Sequence, residues 1–288
     1  MPTRRHVHHS ALWAIAGLAG CQAFARSPSG LAADLQALER QANGRLGVQV
    51  VDTGTGREAG YRADERFMML SSHKLLAAGL VLYRHDQRQD SLARRIRFTR
   101  ADLVSHSPVT ERHVGGQGMT LAELCHATLT TSDNTAANLI HDSYGGPQGL
   151  TRFLRGLGDD ITRLDRRETA LNVPQAGEPL DSTSPRAITR SMGKLVLGYV
   201  LTPASRRQLQ DWLVANTTGG RRLRAGLPTG WRVGDKTGTA EVGANDIGVA
   251  WPPGRAPLLL SVYLEAPPTA ARDEAIATAA RLAVAALA

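Results

Sequence analysis

The spacing of apolar residues changes character along the chain. Residues 31–41 carry them at helical intervals and residues 46–52 alternate with period two, which predicts a helix and then a strand. Gly54-Thr55-Gly56 supplies a turn into a second strand over residues 58–61. From residue 71 to 84 the side chains are apolar on nearly every side, so that helix is expected to be buried at the centre of the molecule. Thr120-Leu121-Ala122-Glu123 has the spacing of a capping box, and Leu121, Leu124, Cys125, Thr128 and Leu129 then follow one helical face. Pro147 and Gly158 bracket a further helix. Ser184-Pro185 opens another that carries Ile188, Met192, Leu195, Val196 and Tyr199. Past Asn216 the period returns to two, over residues 231–236, 246–251 and 258–265, before an alanine-rich helix at 273–287.

Strands therefore come from both ends of the chain, with helices between them. The simplest architecture is α+β with two lobes. One is a five-stranded antiparallel sheet flanked by helices, from residues 26–64 and 215–288; the other is all-helical, from 65–214. Ligands are expected in the cleft between them.

The first 25 residues stand apart. Arg4 and Arg5 precede an apolar run from Ala11 to Gly20 that is too short to span a bilayer, which predicts a signal peptide and an exported, periplasmic protein. Two exits compete: cleavage after Ala23-Phe24-Ala25, or lipid attachment at Cys21 in Leu18-Ala19-Gly20-Cys21, which would anchor the protein to a membrane. The arginine pair also leaves open a twin-arginine route.

The formal charge of the chain is +8. Without residues 1–25 it has 32 basic against 26 acidic residues, net +6. The basic residues are scattered and aromatics amount to 5%, which argues for a solvated surface and against a nucleic-acid partner. Only Cys21 and Cys125 are present, so no internal disulfide is expected in the exported domain. Apart from the leader's His6, His8 and His9, the histidines are isolated, without the spacing of a zinc site; no cofactor is expected. A monomer acting on a small molecule is the expected state.

Ser71-Ser72-His73-Lys74 sets a hydroxyl and an amine three residues apart on one helical face, where a neutral lysine could take the serine proton. The spacing alone is common, and Ser191-Met192-Gly193-Lys194 repeats it on an amphipathic helix, where it is expected at the surface. What separates the two is the series that follows the first: Ser132-Asp133-Asn134, Glu168-Thr169-Ala170-Leu171-Asn172 and Lys236-Thr237-Gly238-Thr239. In these motifs, in this order, the chain from about residue 31 onward resembles the class A serine β-lactamases, the family for which such a set is a standard signature.

The resemblance implies residue roles. Ser71 would be the nucleophile, with Lys74 and Glu168 sharing the work of the base. Ser132 would relay a proton to the departing nitrogen. The backbone N–H groups of Ser71 and Thr239 would form an oxyanion hole. Glu168 and Asn172 would hold the water that releases the acyl group, on an omega-shaped loop at 163–181 whose ends Arg166 and Asp181 would tie. Asn134 would hydrogen-bond the substrate's side chain. Lys236, Thr237, Gly238 and Thr239 would receive its carboxylate, helped by Arg222, since the strand after the Lys-Thr-Gly motif carries no arginine. His106 would stand at the cleft rim. Leu70 and Ala240 occupy the positions that strong carbapenem hydrolysers often join by a disulfide, so weak carbapenem turnover is implied. Ala78 stands where the usual partner of Cys125 would be.

Two other classes share parts of the pattern. A D-alanyl-D-alanine peptidase or penicillin-binding protein would keep its acyl group, and Glu168 with Asn172 argues against it. A penicillin-sensing domain would need membrane coupling, and no apolar span beyond the leader supplies one.

Overall fold

The computed structural model describes residues 28–269 and 271–287. The expected leader, with its alternative exits at Cys21 and Ala25, lies outside the described residues. Helix α1 (Pro28–Gln41) leads into β1 (Arg45–Asp52) and β2 (Glu58–Tyr61), and the last third supplies β3 (Arg232–Ala240), β4 (Gly243–Trp251) and β5 (Leu258–Glu265). They form one antiparallel sheet in the order β2-β1-β5-β4-β3, the α+β arrangement predicted from the periodicity.

Period-two alternation gives this sheet two buried faces. On β5, Leu258, Leu260, Val262 and Leu264 join Leu46, Val48 and Val50 of β1 in a core that also holds Leu31 and Leu35 of α1 and Ile276 and Ala280 of the C-terminal helix α8 (Ala271–Ala285). The intervening Leu259 and Tyr263 face the other way, into the core of the helical lobe. A buried leucine contributes about 1.5–3 kcal/mol relative to an exposed one, so a one-residue slip in register would cost the sheet both cores.

The helical lobe is built around α2 (His73–Asp86), which follows a short 3-10 turn at Leu70–Ser72. Its first ten residues are all buried, as the unbroken apolar run predicts. Packed near it are α3 (Leu121–Thr130), α4 (Asn134–Asp142), α5 (Pro147–Gly156), α6 (Pro185–Val196) and α7 (Pro203–Val214). Gly79 permits the close approach of α6, since a Cβ there would lie 2.6 Å from Leu195 Cδ1.

Three elements depart from the pattern read in the sequence. Helix α6 stops at Val196, and Tyr199 is 98% exposed rather than inward, because the chain leaves the helical path at Leu197. Helix α4 is buried from Asn134 to His141 although four of those residues are Asn, Thr or His, so no apolar stripe marks it. Strand β3 runs on to Ala240 and β4 begins at Gly243, so the Lys236–Thr239 motif lies within the sheet and not in a loop beside it.

The predicted capping box is present: Thr120 Oγ1 accepts from Glu123 N at 3.1 Å, and the Glu123 carboxylate accepts from Thr120 N at 2.7 Å. Thr120→Ala is expected to lower stability by about 1 kcal/mol in urea unfolding while leaving the midpoint slope unchanged.

Candidate active site

The turn that leads into Ser71 is held from two sides. Met69 N donates to Asp181 O at 2.9 Å, and Asn245 Nδ2 of β4 donates to Met69 O at 2.9 Å. Leu70 adopts a left-handed conformation, φ +47°, a region that non-glycine residues enter only under restraint. Beyond it Ser71 begins the run into α2, and its Oγ lies 3.4 Å from Glu168 Oε1.

Lys74, one turn further on, has a fully buried side chain, as does Glu168, and their charged ends are 3.0 Å apart. Lys74 Nζ also donates to Ser132 O at 2.9 Å, Ser132 Oγ at 3.3 Å and Asn134 Oδ1 at 2.5 Å. Burial holds the Lys74 ammonium below its ordinary pKa, and the Glu168 carboxylate only partly opposes that.

Ser132 sits in the turn between α3 and α4 with φ +61°. Its Oγ is shared by two buried amines, since Lys236 Nζ of β3 donates to it at 3.1 Å as well as to Thr237 O at 2.6 Å. Burial first, and the nearby Lys74 charge second, push Lys236 down to about 7. Asp133 caps α4 through Ala136 N at 2.8 Å and accepts from the backbone N–H groups of Val109 and Thr110 at 3.0 and 2.9 Å and from Thr110 Oγ1 at 2.9 Å, so the middle residue of Ser132-Asp133-Asn134 is spent on holding the chain around it. Asn134 Nδ2 donates to Ser105 O at 2.9 Å, and His106, also left-handed at φ +59°, is exposed with its Nε2 2.9 Å from Thr131 O, beside the Ser132 turn.

Glu168 is presented by the loop between α5 and α6. Asp181 is fully buried at the loop's end and binds Arg166 Nε at 2.6 Å and the N–H groups of Asp165 and Arg166 at 2.8 and 2.9 Å. Asn138 of α4 braces the other flank, with Nδ2 to Glu168 O at 2.9 Å and Oδ1 from Glu168 N at 3.0 Å. Asn172 Nδ2 donates to Glu168 Oε2 at 2.8 Å, while Asn172 Oδ1 is buried without a partner among the described residues.

On β3, Gly238 is the only residue type that fits, because a Cβ would lie 2.4 Å from Asn245 Oδ1 and 2.9 Å from Leu70 Cβ. Thr237 Oγ1 lies 2.5 Å from Thr218 Oγ1. Arg222 is buried, not a solvated charge in a basic run. Its guanidinium donates to Asp273 at 2.7 Å, to Gly238 O and Asn245 O at 2.8 and 2.9 Å, and to Thr239 Oγ1 at 2.8 Å.

Ser191, expected at the surface, is instead buried, where it donates to Asp159 Oδ2 at 2.6 Å, while Lys194 is exposed and bonds Leu157 O. That separates the hydroxyl from the amine, whereas Ser71 Oγ and Lys74 Nζ both reach Glu168 Oε1, at 3.4 and 3.0 Å. A separate cavity of about 360 Å³, lined by Phe67, Met68, Pro174 and Leu180 among others, contains none of the motif residues. Asn138 and Asn245 are the structural contributors that motif reading missed. Asn138 does leave a signal, since it falls four residues after Asn134, on the same face of α4.

A serine, two buried lysines and a carboxylate joined by hydrogen bonds, set where β3 meets α2 and the α3–α4 turn, are the side chains of a serine hydrolase. Comparison with known proteins agrees. Residues 30–287 match the β-lactamase enzyme family. β-Lactamase FAR-1 of Nocardia farcinica (strain IFM 10152) is 49% identical over 254 residues, 88% of this chain and 81% of that protein. The carbapenem-hydrolyzing β-lactamase KPC of Klebsiella oxytoca is 47% identical over 251 residues, 86% and 85% of the two chains. The solved class A β-lactamase of the last common ancestor of Gram-negative bacteria (GNCA4) matches with TM-score 0.87 and 57% identity over 90% of this chain and 99% of that one. The chain belongs to the β-lactamase enzyme family, and its fold is that of class A.

Asp181→Asn keeps the shape of the loop tie and removes its charge, leaving the Arg166 guanidinium unpaired. It is expected to lower stability by about 1–3 kcal/mol and to speed hydrogen–deuterium exchange across residues 165–172. Unchanged unfolding and exchange would show that the ion pair does not hold the loop.

Proposed function

We propose that the protein hydrolyses β-lactam antibiotics, penicillins and cephalosporins, through an ester on Ser71 that a Glu168-activated water releases, and so confers resistance. The observation that carries this reading is the reach of one carboxylate. Glu168 Oε1 lies within 3.4 Å of Ser71 Oγ and 3.0 Å of Lys74 Nζ, and Oε2 accepts from Asn172. A water bridging Glu168 and the unpartnered Asn172 Oδ1 would stand beside the ester carbonyl.

In the first half, Ser71 Oγ attacks the lactam carbonyl as its proton passes to Lys74 or Glu168. The N–H groups of Ser71 and Thr239 take the developing oxyanion, each such donor being worth about 10² to 10³ in rate. The C–N bond then breaks. Ser132 Oγ–H supplies the proton to nitrogen and is replenished by Lys74, which holds the Ser71 proton or receives it from Glu168 across 3.0 Å, so that Glu168 is again a carboxylate. In the second half Glu168 takes a proton from the water that attacks the ester, and Ser71 leaves protonated. Arg222 holds Thr239 and the strand carbonyls and adds positive potential for the substrate carboxylate, with Lys236 and Thr237 as its direct partners. Asn134 and His106 border the substrate's side chain.

The lobes divide at residues 64–65 and 214–215, so substrate enters between sheet and helices. The protein is an exported periplasmic monomer, freed at Ala25 or anchored at Cys21. Among the described residues no helix is long and apolar enough to cross a membrane. With Leu70 and Ala240 at the two cross-link positions, carbapenems are the slower substrates.

The test is steady-state hydrolysis of a chromogenic cephalosporin with intact mass of the enzyme after mixing. Many turnovers are expected from the parent chain, and an accumulating acyl-enzyme from Glu168→Ala. Lasting acylation of the parent chain would favour a penicillin-binding protein instead.

Lys236 gives a pH signature. Its charge attracts the substrate carboxylate and is lost as pH rises through about 7, because burial depresses the group. KM for anionic substrates should therefore rise above that pH, by up to about tenfold per unit, until the bound-state pKa is reached. Lys236→Arg should flatten the rise between pH 7 and 9. An equal slope in both proteins would remove Lys236 from carboxylate binding.

A further inference from the structure

His73 stands between nucleophile and lysine in the sequence and has no part in the scheme above. Its side chain is fully buried, and its Nδ1 lies 2.7 Å from Leu70 O, the carbonyl three residues back. A carbonyl can only accept, so Nδ1 carries the proton of this bond. Burial first, then the charge of Lys74, holds the imidazolium down to about 3, so the ring is neutral wherever the enzyme works. A neutral ring protonated at Nδ1 has a bare Nε2, and that atom is buried without a partner among the described residues. The polar contact of this ring is thus the one to Leu70.

The carbonyl of Leu70 belongs to the same amide as the N–H of Ser71. In a trans peptide the two point in opposite directions, and the 70–71 bond is not among those found cis. Any rotation of that plane swings the Ser71 N–H away from a substrate oxygen. The plane follows a residue held at φ +47°, which needs restraint. A hydrogen bond accepted by the carbonyl restrains it and also strengthens the N–H of the same amide as a donor. The ring is wedged in turn: its centroid is 5.2 Å from that of His141, which is 5.8 Å from that of Tyr144, and all three residues are buried.

We infer that His73 is a positioning residue for the oxyanion hole, fixing and polarising the Leu70–Ser71 amide through the Nδ1–H bond to Leu70 O. The inference rests on the acyl-transfer reading above, in which the Ser71 N–H receives the substrate's carbonyl oxygen.

The measurement is the infrared carbonyl band of the penicillin ester trapped on the Glu168→Ala background, together with affinity for an aryl boronic acid in the parent background. His73→Phe keeps the ring and removes the donor. It should move the ester band to higher wavenumber and weaken boronate binding and acylation kcat/KM about fivefold. His73→Asn returns a donor at the position of Nδ1 and should restore all three, whereas His73→Gln, with its amide one bond further out, should not. His141→Leu disturbs the same packing without touching the Leu70 bond, and should leave the band in place while lowering stability. If His73→Phe does not fold, the contrast between Asn and Gln decides. An unmoved band and unchanged boronate affinity in His73→Phe, or an equal effect of Asn and Gln, overturns the inference alone. Failure of any ester to form on Ser71 overturns it together with the reading on which it rests.

Discussion

Lys74 and Glu168 meet at 3.0 Å with neither side chain open to solvent. Two charges taken out of water lose several kcal/mol each in hydration, and mutual attraction offsets this only when the remaining donors and acceptors are also satisfied. Much of the surrounding structure does that. Lys74 spends its other donors on Ser132 and Asn134, and Glu168 is gripped through backbone and side chain by Asn138 and Asn172. The polar interior of α4, unusual for a buried helix, follows from the same need: Asn134 and Asn138 sit one turn apart because they serve opposite ends of this contact.

A second amine, Lys236, shares the Ser132 hydroxyl with Lys74. Two ammonium groups around one oxygen repel each other, and burial weakens both as cations. The arrangement favours one proton moving between them over two held fast, as the relay proposed through Ser132 requires. It also ties sheet to helices, since Lys236 comes from β3 and Ser132 from the turn before α4.

Strain collects where these parts meet. Of the seven non-glycine residues with positive φ among the described ones, Leu70, Ser132 and Asp181 lie at the Ser71 turn, at the turn before α4 and at the end of the loop that carries Glu168. Each is over-determined by neighbours: Leu70 by His73 and the close pass of Gly238, Ser132 by two lysines, Asp181 by Arg166 and two backbone N–H groups. Replacing such a neighbour would relax the backbone away from the reactive geometry even where no reacting atom is touched.

The sequence by itself determined the strands from both chain ends, the five-stranded sheet, the burial of α2 and the motif residues, but not helices α4 and α7. Period-two and helical spacing are local signals, and the motifs are contiguous. It also carried the Arg166–Asp181 tie as an expectation. Tertiary structure alone decided what depends on distant residues. That Ser191 is buried against Asp159 while Lys194 is exposed, that Arg222 lies within reach of Thr239, and that His73 turns back to Leu70 are matters of packing between elements far apart in the chain or of a rotamer set by that packing. Strands β3 and β4 were read short for a related reason. Thr237 and Asn245, just outside the alternating stretches 231–236 and 246–251, look like loop residues until Thr218 and Met69 supply partners that let polar side chains be buried in a sheet.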